Sequence, residues 1–122
     1  MTKEAAIQSF RDYLVAHCEY DYGLTGSLPY DCLIRGKSVC QGYTSVMCNL
    51  CHAAGIECEY ISGTVTYNGQ VMPHSWNRVK LDDGQWYYVD VTLDDTTDSR
   101  NYLLISEEQM NQDHTPDRYI EY

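Results

Sequence analysis

The sequence predicts an α+β fold in which a helix that carries a cysteine packs on an antiparallel sheet. Apolar residues recur with a helical period of about 3.6 in the first half of the chain, and after Gly55 their period changes to two. Asp82, Asp83 and Gly84 then separate two alternating segments, as the loop of a β-hairpin does. The chain has 122 residues, which is long enough to bury a core, and we expect residues 1–122 to form one domain.

The charge of the chain argues against one class of partner. There are 18 Asp and Glu residues against 8 Lys and Arg, and the formal net charge of −10 repels phosphate, so we expect no nucleic acid partner. No apolar run approaches the ~20 residues of a membrane span, and residues 1–10 lack the apolar segment of a signal peptide. The sequence therefore reads as that of a cytoplasmic protein, or of an excised domain of an extracellular or cell-surface one. Compartment and oligomeric state stay open.

The first predicted element is an amphipathic helix over residues 2–18, with Thr2 as its N-cap. Its apolar face consists of Ile7, Phe10, Leu14 and Cys18. Between residues 19 and 37, glycine and proline among tyrosines predict a mostly irregular stretch with a short helix over residues 30–34. We expect this stretch to form one wall of a cleft.

The second predicted helix carries the cysteine. Its apolar positions follow the i, i+3, i+4, i+7 pattern over residues 43–54, and Gly55 stands where a C′ glycine ends a helix. Ser38 and Gln41 fit a capping box, which places Cys40 in the first turn. Unpaired amides and the helix dipole favour an anion there, so they stabilise a Cys40 thiolate and can also bind an oxyanion.

The remaining elements are short and mostly extended. We expect strands over residues 57–65, 74–81, 85–92 and 102–105, with a turn over residues 67–70. Ser106 then caps a short terminal helix that begins with Glu107 and Glu108.

The length of the hairpin loop decides whether His74 and Asp90 can meet. A two-residue turn would pair Asp90 with Asn77 and put His74 on the other side of the sheet. A three-residue loop that ends at Gly84, with this glycine at positive φ, pairs Asp90 with Trp76 instead. His74 and Asp90 then share a face as diagonal neighbours, close enough for Nδ1 of His74 to meet the carboxylate. We predict the three-residue loop.

Three residues in this arrangement point to acyl transfer by a thiol. Such chemistry needs a nucleophile, a proton shuttle and a group that orients the shuttle, and Cys40, His74 and Asp90 supply them in this order along the chain. Asp90 lies in an apolar segment, where a carboxylate needs a partner. We expect a thioester intermediate and no metal or organic cofactor. Candidates for the second oxyanion donor are Tyr22, Tyr30 and Gln41.

The other cysteines and histidines have simpler interpretations. Six cysteines allow a disulfide framework, and residues 48–52 match a CxxCH haem attachment string and one arm of a zinc site. No second metal-binding pattern follows, so we favour free core thiols for Cys48 and Cys51. The remaining histidines lack a setting like that of His74 and are expected to be satisfied or exposed: His17, His52 and His114.

Several ordered blocks resemble the transglutaminase-like core of bacterial proteins. They are residues 12–14, 20–21, 36–43, 54–63, 74–77, 86–92 and 102–108. The resemblance implies a papain-like fold in which Cys40, His74 and Asp90 form the catalytic triad. Arg11 stands where a histidine often precedes the Asp-Tyr-Leu block of these relatives, a difference that leaves the triad intact.

The same resemblance leaves the substrate open. The family includes transglutaminases, proteases, deglycosylating enzymes and members that have lost catalysis. We expect a protein or peptide substrate, cell-wall or glycan-linked ones included, and hydrolysis of amide bonds in preference to transfer to an amine. The alternative is a non-catalytic peptide-binding or glycan-binding module on the same fold.

Overall fold

The computed structural model describes residues 2–23, 26 and 30–121, so residues 24–25 and 27–29 of the predicted irregular stretch lie outside the described part. A π-helical turn spans Asp31–Arg35, where a short helix was expected. The helices are α1 (Lys3–His17), α2 (Cys40–Ala53), α3 (Val91–Thr96) and α4 (Glu107–Met110). The strands are β1 (Glu19–Tyr20), β2 (Lys37–Ser38), β3 (Cys58–Tyr67), β4 (Gln70–Lys80), β5 (Trp86–Val89) and β6 (His114–Glu121).

The ends of α1 and α2 follow the sequence signals, with one exception. The hydroxyl of Thr2 accepts a hydrogen bond from the amide of Ala5, which confirms the predicted N-cap of α1. Gly55 has φ 73°, and the amide of Ile56 donates to the carbonyl of Cys51 at 2.8 Å. This 6→1 hydrogen bond is the Schellman pattern, so the predicted C′ glycine of α2 is confirmed.

The predicted capping box before α2 is wrong. Val39 is the N-cap and contributes no side-chain hydrogen bond. Ser38 is fully buried in β2, and its hydroxyl donates to the carbonyls of Gly26 and Val39. The short parallel pairing of β1 with β2 holds Ser38 away from the helix amides. Cys40 is nevertheless the first residue of α2, as the prediction required.

Strands β3 to β6 form an antiparallel sheet with the order β5-β4-β3-β6. Asn68 and Gly69, at φ 52° and 77°, form the two-residue turn between β3 and β4. In the next hairpin Asn77 pairs with Val89, a register that sets Trp76 opposite residue 90. Gly84 has φ 78°. The three-residue loop and the predicted register are therefore confirmed.

Two expected strand segments differ from the structure. The strand expected over residues 85–92 ends at Val89, because the side chain of Asp90 caps α3 and accepts from the amide of Leu93. Residues 102–105 do not form a strand: Leu104 takes φ 55°, and only a single bridge joins Ile105 to Tyr88. The capped helix that follows is confirmed, since Ser106 and Gln109 form a capping box at the start of α4.

Strand β6 has no counterpart among the sequence predictions. It lies at the edge of the sheet, and Pro116 pairs with Gly63 beside a bulge; edge strands and bulges are the places where a sheet tolerates proline. A bulge shifts the register beside Gly63. A Cβ at Gly63 would lie 2.1 Å from the carbonyl oxygen of Thr115, so only glycine permits this close approach. At the start of β6, His114 is buried.

Each face of the sheet covers a different core. One face packs against α1 and α2 and forms the larger apolar core, whose members include Ile7, Leu14, Val46, Met47 and Val79. The other face carries a smaller cluster of Ile61, Trp76, Tyr88 and Met110. In the part of the chain that the structure describes, none of the helices has the length and hydropathy of a transmembrane span.

Candidate active site

Cys40 lies in a groove between the start of α2 and the sheet. The thiol is half-buried, and the groove has a volume of about 1010 Å³. Its walls come from β1, the start of α2, and strands β3, β4 and β6. Residues that line it include Tyr20, Gln41, Tyr60, Met72 and Asp117. A groove of this size can admit a molecule from solvent to the thiol.

His74 connects Cys40 to Asp90. Nε2 of His74 lies 2.7 Å from Oδ2 of Asp90, and the side chain of His74 also makes a hydrogen bond with Cys40. The expectation that Nδ1 would meet the carboxylate is therefore wrong. Since Nε2 is engaged by Asp90, Nδ1 is the nitrogen left for the thiol. The structure thus brings the three predicted residues together, with the imidazole in the opposite orientation.

The surroundings of Cys40 favour its thiolate. Burial acts on the pKa most strongly and raises it, but hydrogen bonds from His74 and Ser75, together with the charge of His74, outweigh burial. The pKa of the Cys40 thiol is therefore lowered from its usual value. Ser75 is itself held by Thr44, whose hydroxyl lies 2.9 Å from that of Ser75 and donates to the carbonyl of Cys40.

Asp90 is completely buried and its carboxylate is fully engaged. Oδ1 accepts from the amide of Leu93 at 3.1 Å, which is the N-cap contact of α3. Oδ2 lies 2.7 Å from Nε2 of His74 and 2.7 Å from Nε2 of His114. Burial by itself raises the pKa of Asp90, yet the charge of His74 and the hydrogen bonds from both histidines lower it well below the usual range.

The pKa of His74 moves the other way. Burial lowers it, but the charge and the hydrogen bond of Asp90, with a further contribution from Cys40, raise it to about 10. Asp90 is thus ionised and His74 protonated at neutral pH. An imidazolium beside a thiol of lowered pKa can hold a thiolate and later donate its proton.

His114 joins the site although its sequence context did not indicate it. It is 1% exposed, its Nε2 faces Asp90, and its Nδ1 lies 2.7 Å from Oδ1 of Asp113. It is satisfied, as expected, but through the same carboxylate as His74. The one local signal is the carboxylate beside it in the sequence, which is too common to mark a site. Only β6, which was not predicted, carries His114 to Asp90.

The same cluster has donor atoms of the kind that hold metals. One atom each of His74, Asp90 and His114 lie within 4.8 Å of one another, the only such group in the part of the chain that the structure describes. Both nitrogen to oxygen distances are 2.7 Å, which is the length of an N–H···O hydrogen bond to a carboxylate. A metal would have to displace both protons and spread the ligands apart.

Arg11 of α1 holds α3, the helix that Asp90 caps. Its buried guanidinium donates to Asp94 of α3 at 3.1 Å and to the carbonyl of Ser99. Asp94 in turn accepts from the amide of Tyr102 at 2.9 Å. These contacts fix α3, the helix that Asp90 caps, against α1.

Of the three candidates for the second oxyanion donor, only Gln41 lies beside the thiol. Tyr22 and Tyr30 are 78% and 59% exposed and do not line the groove, whereas Gln41 does. His17 and His52 are exposed side chains that hydrogen-bond the carbonyls of Tyr13 and Cys58, as expected.

All six cysteines are free, so the disulfide alternative is wrong. Cys48 and Cys51 are completely buried on α2, and the sulfur of Cys48 lies 3.4 Å from that of Cys58. The prediction of core thiols is confirmed.

Comparison with known proteins agrees with this geometry. The sequence profile of the Transglutaminase-like superfamily matches residues 1–91, which is most of the chain. The chain belongs to the transglutaminase-like superfamily. It is 30% identical over 114 residues to kyphoscoliosis peptidase of Mus musculus and 29% identical to that of Homo sapiens. The match covers 78% of this chain and 17% of the length of each relative.

Solved structures share the fold. A transglutaminase superposes with a TM-score of 0.65 at 20% identity, over 75% of this chain and 27% of its own. A proposed cysteine protease from Cytophaga hutchinsonii superposes with a TM-score of 0.68 at 19% identity, over 93% of this chain and 35% of its own. The predicted α+β, transglutaminase-like fold is confirmed. The bacterial type implied by the resemblance stays a prediction.

Proposed function

We propose that the chain carries a cysteine hydrolase site that cleaves amide bonds of protein or peptide substrates, with Cys40, His74 and Asp90 as the catalytic triad. The observation that carries this proposal is the 2.7 Å hydrogen bond between His74 and the fully buried Asp90, together with the hydrogen bond and the charge by which His74 lowers the pKa of the Cys40 thiol. This is the order of contacts that a thiol, its proton shuttle and an orienting carboxylate require.

The reaction follows from the positions of these groups. The Cys40 thiolate attacks the carbonyl carbon, and free amides at the start of α2 hydrogen-bond the oxyanion that forms. The C–N bond breaks while His74 gives its proton to the leaving amine, and a thioester remains. His74 then takes a proton from water, the hydroxide displaces sulfur, and the carboxylic acid and the thiolate are released. Asp90 holds the imidazole in place throughout.

Water is the proposed acceptor because the groove is open. A volume of about 1010 Å³ leaves room for water to reach a thioester at Cys40. The name of the mouse and human relatives, a peptidase, also favours hydrolysis, although this chain spans only 17% of their length. One of the structural neighbours is a transglutaminase, so transfer to an amine is the competing outcome.

The test compares both acceptors in one reaction. The purified chain is incubated with a glutamine-bearing protein and a fluorescent primary amine, while ammonia and new peptide termini are measured. We expect release of ammonia or peptides to exceed amine incorporation, and Cys40→Ala to abolish both. Efficient incorporation with little hydrolysis would make the site a transferase. If neither product forms although Cys40 reacts as an activated thiol, the substrate class is wrong.

A further inference from the structure

A second histidine shares the carboxylate of Asp90. We propose that His114 is a buried imidazolium that positions Asp90 and keeps it ionised, so that the working unit is Cys40, His74, Asp90 and His114. His114 touches neither the thiol nor the groove and acts through Asp90. The proposal rests on the proposed function, because it assigns a role within that site.

The hydrogen-bonding groups around His114 favour protons on both of its nitrogens. Oδ1 of Asp90 already accepts from the amide of Leu93, and Oδ2 accepts from His74. Oδ2 of Asp113 accepts from the hydroxyl of Tyr102 at 2.7 Å. Both carboxylates therefore act as acceptors in their other contacts. Each nitrogen of His114 lies 2.7 Å from one of these carboxylates, and an ionised carboxylate only accepts, so both nitrogens are placed to donate.

The surroundings of His114 accommodate a cation and fix its orientation. Its side chain is 0% exposed. The ring of Trp76 lies 4.6 Å from it at an interplanar angle of 75°, and the ring of Tyr102 lies 5.6 Å away. These rings pack against the imidazole and hold its orientation. β3 sets Val65, which does not titrate, opposite His114. The titratable groups that face it are Asp90, Asp113, His74 and Tyr102.

The consequence for Asp90 has a definite sign. Burial raises the pKa of Asp90, and the charges and hydrogen bonds of His74 and His114 reverse that effect. Without His114 the pKa of Asp90 rises. Since the charge of Asp90 is what raises the pKa of His74, protonation of Asp90 weakens the pair of His74 and Cys40. Loss of His114 therefore raises the pH below which the thiolate of Cys40 is no longer stabilised.

The charge of His114 can be observed in the unmodified protein. Long-range ¹H–¹⁵N spectra of the histidine-labelled chain at pH 7 should show two protonated nitrogens for His114. A spectrum with one protonated and one bare nitrogen would overturn the imidazolium. This measurement needs no variant and no substrate.

The positioning role is tested by the pH profile of Cys40 alkylation with iodoacetamide. His114→Phe fills the space beside Trp76 and Tyr102 but offers no hydrogen-bond donor to Asp90. His114→Gln restores a neutral donor. On the acid side of the profile, we expect the pH at which the alkylation rate falls to rise by about one unit in His114→Phe and by less in His114→Gln. The matched control is His17→Gln, which changes an exposed histidine and should leave that pH unchanged. Far-UV circular dichroism and thermal unfolding verify that each variant folds.

The outcomes separate this inference from the proposed function. If folded His114→Phe has the wild-type profile, His114 only fills space and the inference is wrong. If Cys40 of the wild-type chain is no more reactive than a free cysteine, the proposed function fails instead. If His114→Phe does not fold, the His114→Gln profile and the wild-type spectrum still decide.

Discussion

Helix α2 presents thiols in two opposite environments. Cys40, in its first turn, is half-buried beside His74, and the pKa of its thiol is lowered. Two turns further on, Cys48 is completely buried against Cys58 at the start of β3. Hydrogen bonds with Cys48 and Cys51, together with burial, raise the pKa of the Cys58 thiol. The pKa values of two thiols on and beside one helix are thus shifted in opposite directions.

The difference shows that neighbouring groups, more than burial alone, decide what a thiol can do. At Cys40 a cationic partner outweighs the cost of burial. Around Cys58 the neighbours are other thiols and the amide of Asn77, none of which carries a positive charge. The first region is suited to chemistry and the second to packing.

The largest expected effect comes from removing one sulfur from each region. Cys40→Ala should reduce amide hydrolysis by about 10⁴-fold or more, because it removes the proposed nucleophile. Cys48→Ala should keep activity and lower the free energy of unfolding by about 1 kcal/mol through a small cavity. Activity assays and urea unfolding of both variants check this pair. Substantial hydrolysis by Cys40→Ala would move the nucleophile elsewhere.

The next effect is the pH dependence of stability, and it arises in the region around Cys40. The pKa of His74 is raised from 6.5 to about 10, so its pairing with Asp90 stabilises the fold fully below pH 6.5 and progressively less as pH rises to about 10. The pKa of Asp90 is lowered, so its own contribution is present above pH 3.8 and is lost below it. The pair of His74 and Asp90 therefore stabilises the fold most between pH 3.8 and pH 6.5.

Urea unfolding of the wild type and of His74→Gln, at intervals from pH 6 to pH 10, measures this contribution. The difference in the free energy of unfolding should shrink by a few kcal/mol as pH rises. Asp90→Asn should show a much weaker pH dependence, because without the carboxylate only Cys40 remains to raise the pKa of His74. A difference that stays constant from pH 6 to pH 10 would contradict the proposed charge pair.

A smaller effect is expected from the polar group beneath the middle of α2. Nδ2 of the buried Asn77 donates to the carbonyl of Thr44 at 3.1 Å and contacts the sulfur of Cys48 at 3.2 Å. Asn77→Ala leaves that carbonyl without its side-chain donor and should cost about 2 kcal/mol in urea unfolding. The exposed Asn101→Ala is the control, with an expected change within about 0.5 kcal/mol. Equal costs for both variants would show that Asn77 contributes no net stabilisation.

The parts of the site that could be predicted depend on local signals. The hairpin register followed from a loop whose length and glycine allow one arrangement, and it brought His74 to the side of Asp90. Cys40 was placed at the start of α2 correctly, although the reason given, a cap by Ser38, was wrong. The end of β2 at Ser38, followed by Val39 as the N-cap, sets the start of the helix instead.

The parts that could not be predicted depend on contacts between distant segments. β6 contains Pro116 and does not alternate clearly, and an edge strand tolerates both features because one side forms no ladder. Its pairing with β3 requires Gly63 and a bulge, neither of which marks a strand in a sequence. His114, 24 residues from Asp90, was therefore invisible as a partner of that carboxylate. Strand register also could not predict which nitrogen of His74 faces Asp90.

The smallest expected effect returns to the two thiol environments and needs no substrate. At pH 6, limited iodoacetamide should label Cys40 ahead of the other five cysteines, which are all buried. His74→Ala removes the imidazolium and should slow the labelling of Cys40 about tenfold, while Asp90→Asn should slow it less because the imidazole remains. Mass spectrometry of peptides from a time course gives each rate. If His74→Ala leaves the rate unchanged, exposure alone explains the order of labelling. The contrast along α2 would then be one of access, and the binding-module alternative would gain support.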